Sequence, residues 1–174
     1  MKIRLLLAAS LVSALALPVA AKERPQMANP AIDMTGHLRV SAEAAGHRQT
    51  HRVSEADFIR MSRQPGTVIL DARSREKYDE LHVKGAINLS FPDISYETLN
   101  KVLPDKKTRI LIYCNNNFRE GVPAFPVKAV TAALNLSTFI TLYDYGYREV
   151  YELAPLLDID SSRLAFEGRA RVGR

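Results

Sequence analysis

The single cysteine of the chain, Cys114, stands where a thiol could act as a nucleophile. It follows the apolar run 109–113 and precedes a polar stretch made of Asn115, Asn116, Asn117, Phe118 and Arg119. Asparagine tolerates left-handed backbone better than most residues, so these asparagines predict a tight loop with inward-turned N–H groups. Such a loop binds anions and lowers the pKa of a thiol. The sequence therefore predicts a thiolate held by backbone amides, with Arg119 adding positive charge; the alternative is an inert buried cysteine.

The elements that must position this loop alternate between strands and helices. Strands are predicted at 50–53, 67–70, 86–89, 109–113 and 138–142. Helices are predicted after a cap at Ser54 and over 74–81, 95–103, 126–134 and 147–153. This alternation predicts an α/β fold with a parallel sheet. Open parallel sheets bind ligands at the carboxyl ends of their strands, which is where Cys114 lies.

Composition narrows the possible classes of function. A chain of 174 residues with 47% hydrophobic residues predicts one globular domain. One cysteine excludes an intrachain disulfide and a multi-cysteine zinc site. A net charge of +5 is too small to indicate nucleic-acid binding. His47 and His51 are four residues apart, but proline and glycine residues nearby disfavour a helix there, so no metal site is expected. No cofactor is expected.

The chain begins with the pattern of a cleavable secretory signal. Lys2 and Arg4 precede an apolar run over 5–17, and small residues before Lys22 resemble a cleavage site. The run is shorter than the roughly 20 residues that span a bilayer, so we expect no stable membrane anchor after cleavage. The predicted organisation is a signal peptide at 1–21, an irregular extension at 22–49, a domain at 50–157 and a polar tail at 158–174. The predicted location is the periplasm.

Four motifs in the segment 53–153 are similar to those of single-domain rhodaneses, a family of sulfurtransferases. They are the strand-ending motif at 70–73, the H-[IV]-x-G-A-x-N motif at 82–88, the strand that ends at the cysteine (110–114), and the last strand with its glycine-aromatic turn at 142–147. The resemblance implies a five-stranded parallel sheet with helices on both faces. Asp71 and Arg73 are expected to hold the loop through hydrogen bonds or ion pairs, the alternative being a direct chemical role. His82 is expected to anchor the turn before Gly85, the alternative being a role as a base.

The loop departs from the family pattern C-R-x-G-x-[RK]. Arg119 keeps the arginine at the fifth place after the cysteine, but Asn115 replaces the first arginine and Asn117 replaces the glycine. Reduced positive charge puts thiosulfate, a dianion, in doubt as the donor. Pro123 and Pro126 are expected to delay the next helix. Phe118 and Phe125 are expected to form an apolar lid over the site.

The resemblance implies that the protein transfers sulfane sulfur through a persulfide on Cys114. Its partners would be a small-molecule sulfur donor and a thiol or cyanide acceptor, and a partner reductase is left open. A phosphatase or arsenate reductase is a second enzyme class, but Glu120 occupies the place where an arginine would bind the oxyanion. The non-enzyme alternative is a binding or redox-sensing module that keeps the fold without turnover.

Overall fold

A parallel sheet of five strands forms the centre of the computed structural model, which describes residues 29–119 and 122–170. The strand order is β1-β6-β5-β2-β4, and a separate antiparallel pair joins β3 to β7. The strands are β1 (Arg52–Val53), β2 (Thr67–Asp71), β3 (His82–Val83), β4 (Ile87–Asn88), β5 (Arg109–Tyr113), β6 (Val150–Leu153) and β7 (Phe166–Glu167). The predicted fold class is confirmed.

Five α-helices accompany the strands in the described residues. They are α1 (Met34–Arg48), α2 (Glu55–Ser62), α3 (Arg75–Glu80), α4 (Tyr96–Val102) and α5 (Leu134–Asp144). Serine side chains cap the first turns of α2, α3 and α4, where Ser54, Ser74 and Ser95 accept from backbone N–H groups three residues on. The predicted cap at Ser54 is therefore confirmed.

Alternation along β5 divides the core into two layers. Leu111 and Tyr113 face a cluster that includes Phe58 of α2, whereas Ile110 and Ile112 face a cluster with α1, α4 and α5. A strand that is buried on both faces consists of a continuous apolar run, and this pattern is why the sequence predicts β5 correctly. Helices thus cover both faces of the sheet.

Two predicted elements near the end of the domain are wrong. Residues 138–142, predicted as a strand, lie in α5, and 147–153, predicted as a helix, include β6. Asn135, Thr138, Phe139 and Leu142 are the buried residues of α5, and their spacing of three and four is that of one helix face. Packing of this face outweighs the strand preference of its threonines and isoleucine. The helix predicted over 126–134 is also wrong, because α5 begins only at Leu134.

Both flanking segments are more ordered than predicted. The expected irregular extension contains α1, a 15-residue helix whose Asp33 cap accepts from Gly36 N. The expected polar tail buries Ile159 and Leu164 and supplies β7, which pairs with β3. These segments fold because tertiary contacts compensate for their weak local patterns.

The structure describes only a few residues before Asp33. Asp33–Arg174 form one compact unit, and of the preceding unit only 29–32 are described, where they make a turn. The predicted signal peptide at 1–21 lies outside the described residues, as does Glu120. Among the helices that are described, none is long and apolar enough to cross a membrane.

Candidate functional site around Cys114

Cys114 continues β5 at its carboxyl end and faces the layer that contains α5. Its backbone is extended, with φ −146° and ψ −175°, so its side chain lies on the same sheet face as that of Ile112. The side chain is buried, with 2% exposure. The strand therefore delivers the sulfur to the interface between the sheet and α5.

Backbone N–H groups from two segments converge on the sulfur. The N–H groups of Asn135 and Leu134, at the start of α5, and of Asn116 in the loop act on the thiol in the direction that stabilises the thiolate. The first N–H groups of a helix have no partner within the helix, and Ala133 provides no side-chain cap here. Two of these three amides belong to α5 and not to the asparagine loop, which was predicted to supply them.

The pKa of the Cys114 thiol is shifted in the direction opposite to the prediction. Burial raises the pKa of Cys114 above its ordinary value, and the charge of Glu152 raises it further. The N–H groups of Asn135, Asn116 and Leu134 lower the pKa by stabilising the thiolate, but they do not outweigh burial. The prediction of an acid-shifted thiol is therefore wrong.

The asparagine loop is a 3₁₀ turn over Asn115–Asn117 rather than a left-handed loop. Among the described residues, only glycines have positive φ. Asn116 Nδ2 donates to Lys128 O at 2.8 Å, and Asn116 Oδ1 accepts from Lys128 N at 3.1 Å. Asn115 is buried, and its Oδ1 has no hydrogen-bond partner within the described part of the chain.

The side chain of Asn117 fixes the loop to its surroundings. Its Oδ1 accepts from Cys114 N at 2.9 Å and from Asn135 Nδ2 at 3.1 Å. Its Nδ2 donates to Leu153 O at 2.7 Å and to Pro155 O at 3.2 Å. One buried amide thus connects β5, α5 and the end of β6, which gives Asn117 a positioning role that a glycine would lack.

Phe118 and Phe125 are buried, with exposures of 0% and 1%. Their ring centroids are 4.3 Å apart, and both rings pack with Tyr113 and Phe166. Tyr113 lies on the opposite sheet face from Cys114, so the rings support the loop from the other layer instead of closing over the sulfur. The lid expected from these two residues is not the arrangement observed.

A buried ion pair holds the segment that follows the loop. Arg73 Nη2 donates to Asp71 Oδ2 at 2.6 Å, and Tyr113 Oη donates to the same oxygen at 2.5 Å. Arg73 Nη1 donates to Ala124 O at 2.8 Å, and the guanidinium lies 4.2 Å from the ring centroid of Phe125. Asp71 and Arg73 therefore hold the segment at Ala124 and Phe125 that follows the loop, and their direct contacts do not include the loop residues 115–119.

His82 anchors the turn before Gly85 from two sides. Its Nδ1 donates to Tyr78 O at 2.7 Å, and its ring stacks on Tyr78 with centroids 3.7 Å apart. Its Nε2 lies 3.4 Å from Glu167 Oε1, which also accepts from Gly85 N at 3.0 Å. The hydrogen bond from Gly85 lowers the pKa of Glu167 below its ordinary value. His82 is not among the groups that act on the Cys114 thiol, and its contacts are those of an anchor.

A surface cavity of about 540 Å³ borders the asparagine loop. Its lining combines the exposed Arg119 with polar and apolar residues, namely Asn116, Phe118, Val127, Val130 and Leu156. Cys114 is not part of this lining, so a molecule in the cavity would meet the loop before it met the sulfur. Among the described residues, no group of three or more histidine, cysteine, aspartate or glutamate side chains is arranged to hold a metal.

Sequence reasoning missed the residues that reach the site from outside the loop. Asn135 and the N–H of Leu134 come from α5, which was predicted as part of a strand and a preceding helix. Glu152 lies on β6, and its carboxylate pairs with Arg48 of α1. For Leu134 and Asn135, the available signal was the helical spacing of the apolar residues in α5. For Glu152, no local pattern in the sequence indicates that it pairs with Arg48.

Comparison with known proteins agrees with this architecture. Residues 54–153, more than half of the chain, match the family model described as the Rhodanese-like domain. The chain is also similar to thiosulfate sulfurtransferase PspE of Escherichia coli, at 35% identity over 52 residues. That match covers 30% of this chain and 49% of PspE, so the chain spans about half the length of this curated relative.

Solved structures with similar folds include the BH2092 protein from Bacillus halodurans and a rhodanese with anions from Escherichia coli. The first has 25% identity and a TM-score of 0.47, covering 73% of this chain and 85% of its own. The second has 23% identity and a TM-score of 0.40, covering 59% and 98%. From the extent of the family-model match, we conclude that this chain belongs to the rhodanese-like domain family.

Proposed function

We propose that the protein is an exported rhodanese-like sulfurtransferase that carries sulfane sulfur on Cys114. The observation that carries the proposal is the position of Cys114 at the carboxyl end of β5, where the uncapped start of α5 presents the Leu134 and Asn135 N–H groups that stabilise its thiolate. Preorganised N–H groups stabilise an anionic sulfur without reorganisation during the reaction. Membership of the family and the similarity to PspE support this class of chemistry.

In the proposed reaction, the Cys114 thiolate attacks the outer sulfur of a donor such as thiosulfate. A new S–S bond forms at Cys114, the donor's S–S bond breaks, and sulfite leaves with the electron pair. A thiol or cyanide acceptor then attacks the outer sulfur of the persulfide, and the Cys114 thiolate leaves. Because burial raises the pKa of Cys114, we expect the first step to accelerate with rising pH.

The donor must reach a thiol with 2% exposure, which constrains the reaction. The cavity beside Asn116 and Arg119 gives a donor a place to bind, and Arg119 supplies a positive charge there. Because Cys114 is not part of the cavity lining, a donor in the cavity reaches the thiol only if the groups that cover it move. We therefore expect small donors to react faster than bulky ones.

Mass spectrometry of the intact protein tests the proposal directly. The purified chain is incubated with thiosulfate or with a polysulfide, and we expect a mass gain of one sulfur atom that cyanide removes. Cys114→Ser should show no gain. Absence of a gain with every donor would refute the proposal. Unchanged transfer by Asn115→Ala would show that the side chain in place of the family's first arginine is dispensable.

A second candidate is a module that keeps the fold but binds or senses without turnover. The burial of Cys114 and the raised pKa of its thiol favour this candidate. It predicts that oxidants modify Cys114 slowly and reversibly while no donor leaves sulfur on it. The same mass measurements, made with hydrogen peroxide instead of a sulfur donor, distinguish the two candidates.

A further inference from the structure

An ion pair connects α1 to the strand beside the one that carries the cysteine. Arg48 donates from Nε to one oxygen of Glu152 and from Nη2 to the other, the latter at 2.7 Å. The Arg48 side chain is 25% exposed and that of Glu152 is 6% exposed. Two-point contact of a guanidinium with a carboxylate is among the stronger charged interactions in proteins, and burial reduces its screening. Arg48 lies outside the segment 54–153 that matches the family.

The paired carboxylate shares a sheet face with the sulfur. Glu152 of β6 lies in register with Ile112 of β5, and Cys114 follows Ile112 by two residues. Side chains two residues apart on a strand point to the same face, so Glu152 and Cys114 are diagonal neighbours under α5. The negative charge of Glu152 acts on the thiol in the direction that disfavours the thiolate.

We propose that Arg48 is a positioning residue for the chemistry of Cys114, because it neutralises the Glu152 carboxylate that would otherwise oppose formation of the thiolate. This inference rests on the proposed function, in which the thiolate is the nucleophile. It gives α1 a part in the reaction although the helix contributes no atom to the hydrogen bonds around the sulfur.

The other charged groups near Glu152 are engaged elsewhere. Arg52 is the register partner of Glu152 on β1, but its Nη2 donates to Ala154 O at 3.3 Å. His47 of α1 contacts Arg148 O through its Nε2, and Arg148 donates to Tyr143 O of α5. Other titratable groups of this layer are His51, which stacks on His47 at 3.9 Å, and the tyrosines Tyr143, Tyr145 and Tyr147, of which Tyr147 donates its Oη–H to Leu103 O. Within the described residues, Arg48 is the cation in contact with the carboxylate.

The test measures thiol reactivity without sulfur transfer. The rate at which iodoacetamide alkylates Cys114 is followed from neutral to alkaline pH in the full chain. For Arg48→Met we expect a rate at neutral pH roughly three- to tenfold lower than in the wild type, with a profile displaced to higher pH. Arg48→Lys should recover most of the rate. Arg52→Met is the matched control, since it removes a charge from the same face without breaking the pair, and its profile should move far less.

Removal of the carboxylate identifies the route of the effect. Glu152→Gln should displace the profile to lower pH, and adding Arg48→Met to Glu152→Gln should have no further effect. A displacement by Arg48→Met that persists in the Glu152→Gln background would overturn the proposal, as would equal displacements for Arg48→Met and Arg52→Met. A purely structural role of Arg48 would lower stability without this dependence on Glu152.

The proposal remains testable if one variant fails to fold, and its failure is distinguishable from failure of the proposed function. If Arg48→Met does not fold, Glu152→Gln decides alone, and an unmoved alkylation profile in that variant overturns the proposal. Failure of the proposed function is a separate result, because a protein that accepts no sulfur still has a thiol that iodoacetamide alkylates. Alkylation therefore tests the role of Arg48, and sulfur transfer separately tests the proposed function.

Discussion

The side chain of Asn117 offers a quantitative test of how the loop is held. Its amide makes four hydrogen bonds, and three of the partners, Cys114 N, Asn135 Nδ2 and Leu153 O, are in buried contacts. Asn117→Ala leaves these groups without partners. A buried polar group without a partner costs about 1–3 kcal/mol, so for three such groups we expect a loss of at least about 3 kcal/mol in the free energy of unfolding. This is a large share of the roughly 5–15 kcal/mol that stabilises a typical domain.

Urea denaturation followed by circular dichroism measures this loss. The neighbouring variant Asn116→Ala is the matched control, since it removes the same side chain from a site whose two hydrogen bonds to Lys128 are solvent-exposed. We expect it to cost less than about 1 kcal/mol. Equal losses for the two variants, or a loss below about 1 kcal/mol for Asn117→Ala, would refute the reasoning. The slope of the unfolding transition should stay constant for the comparison to hold.

Three further outcomes are expected. Arg73→Met leaves the buried Asp71 carboxylate without its cation, so the free energy of unfolding should fall by about 3–5 kcal/mol in urea titrations; a loss under about 1 kcal/mol would contradict the role assigned to the pair. Leu164→Ala, at a side chain with 3% exposure, should cost about 2–5 kcal/mol, whereas Leu156→Ala, at 56% exposure, should cost under about 1 kcal/mol; equal effects would show that the C-terminal segment does not pack as described. Burial raises the pKa of Cys114, so the folded protein keeps this proton where the unfolded chain has lost it; stability should therefore decline as pH rises above about 8.5, and thermal melts of Cys114→Ala should lack that part of the decline.

The central part of the fold was predictable because its signals are local. The apolar runs of β2 and β5 are long enough to identify strands buried on both faces, and serine caps mark the starts of three helices. The position of Cys114 at a strand end followed from the same pattern. The structural role of Asp71 and Arg73 was expected from their place in a motif that resembles a family. No local rule predicts the hydrogen bond from Arg73 to Ala124 O.

The errors arise where tertiary contacts decide local structure. The threonines and isoleucine of α5 favour a strand in isolation, but the buried face of this segment has helical spacing. The segment 147–153 was predicted as a helix, and the contact that holds its Glu152 in β6 comes from Arg48, 104 residues away along the chain. The direction of the Cys114 pKa was wrong for a related reason: the sequence indicated amides near the sulfur but not how deeply the sulfur is buried.

The pairing of β1 with β6 also has a consequence for how the chain folds. The contact between Arg48 and Glu152 closes a loop of 104 residues, and both neighbours of Cys114 in this layer, α5 and β6, follow it in the chain. Contacts of such long range form slowly, because the entropy of closing the loop is lost before the contact stabilises the chain. Until those contacts form, α5 and β6 do not cover the Cys114 thiol. The nascent chain is therefore most vulnerable to intermolecular crosslinking before β1 and β6 meet.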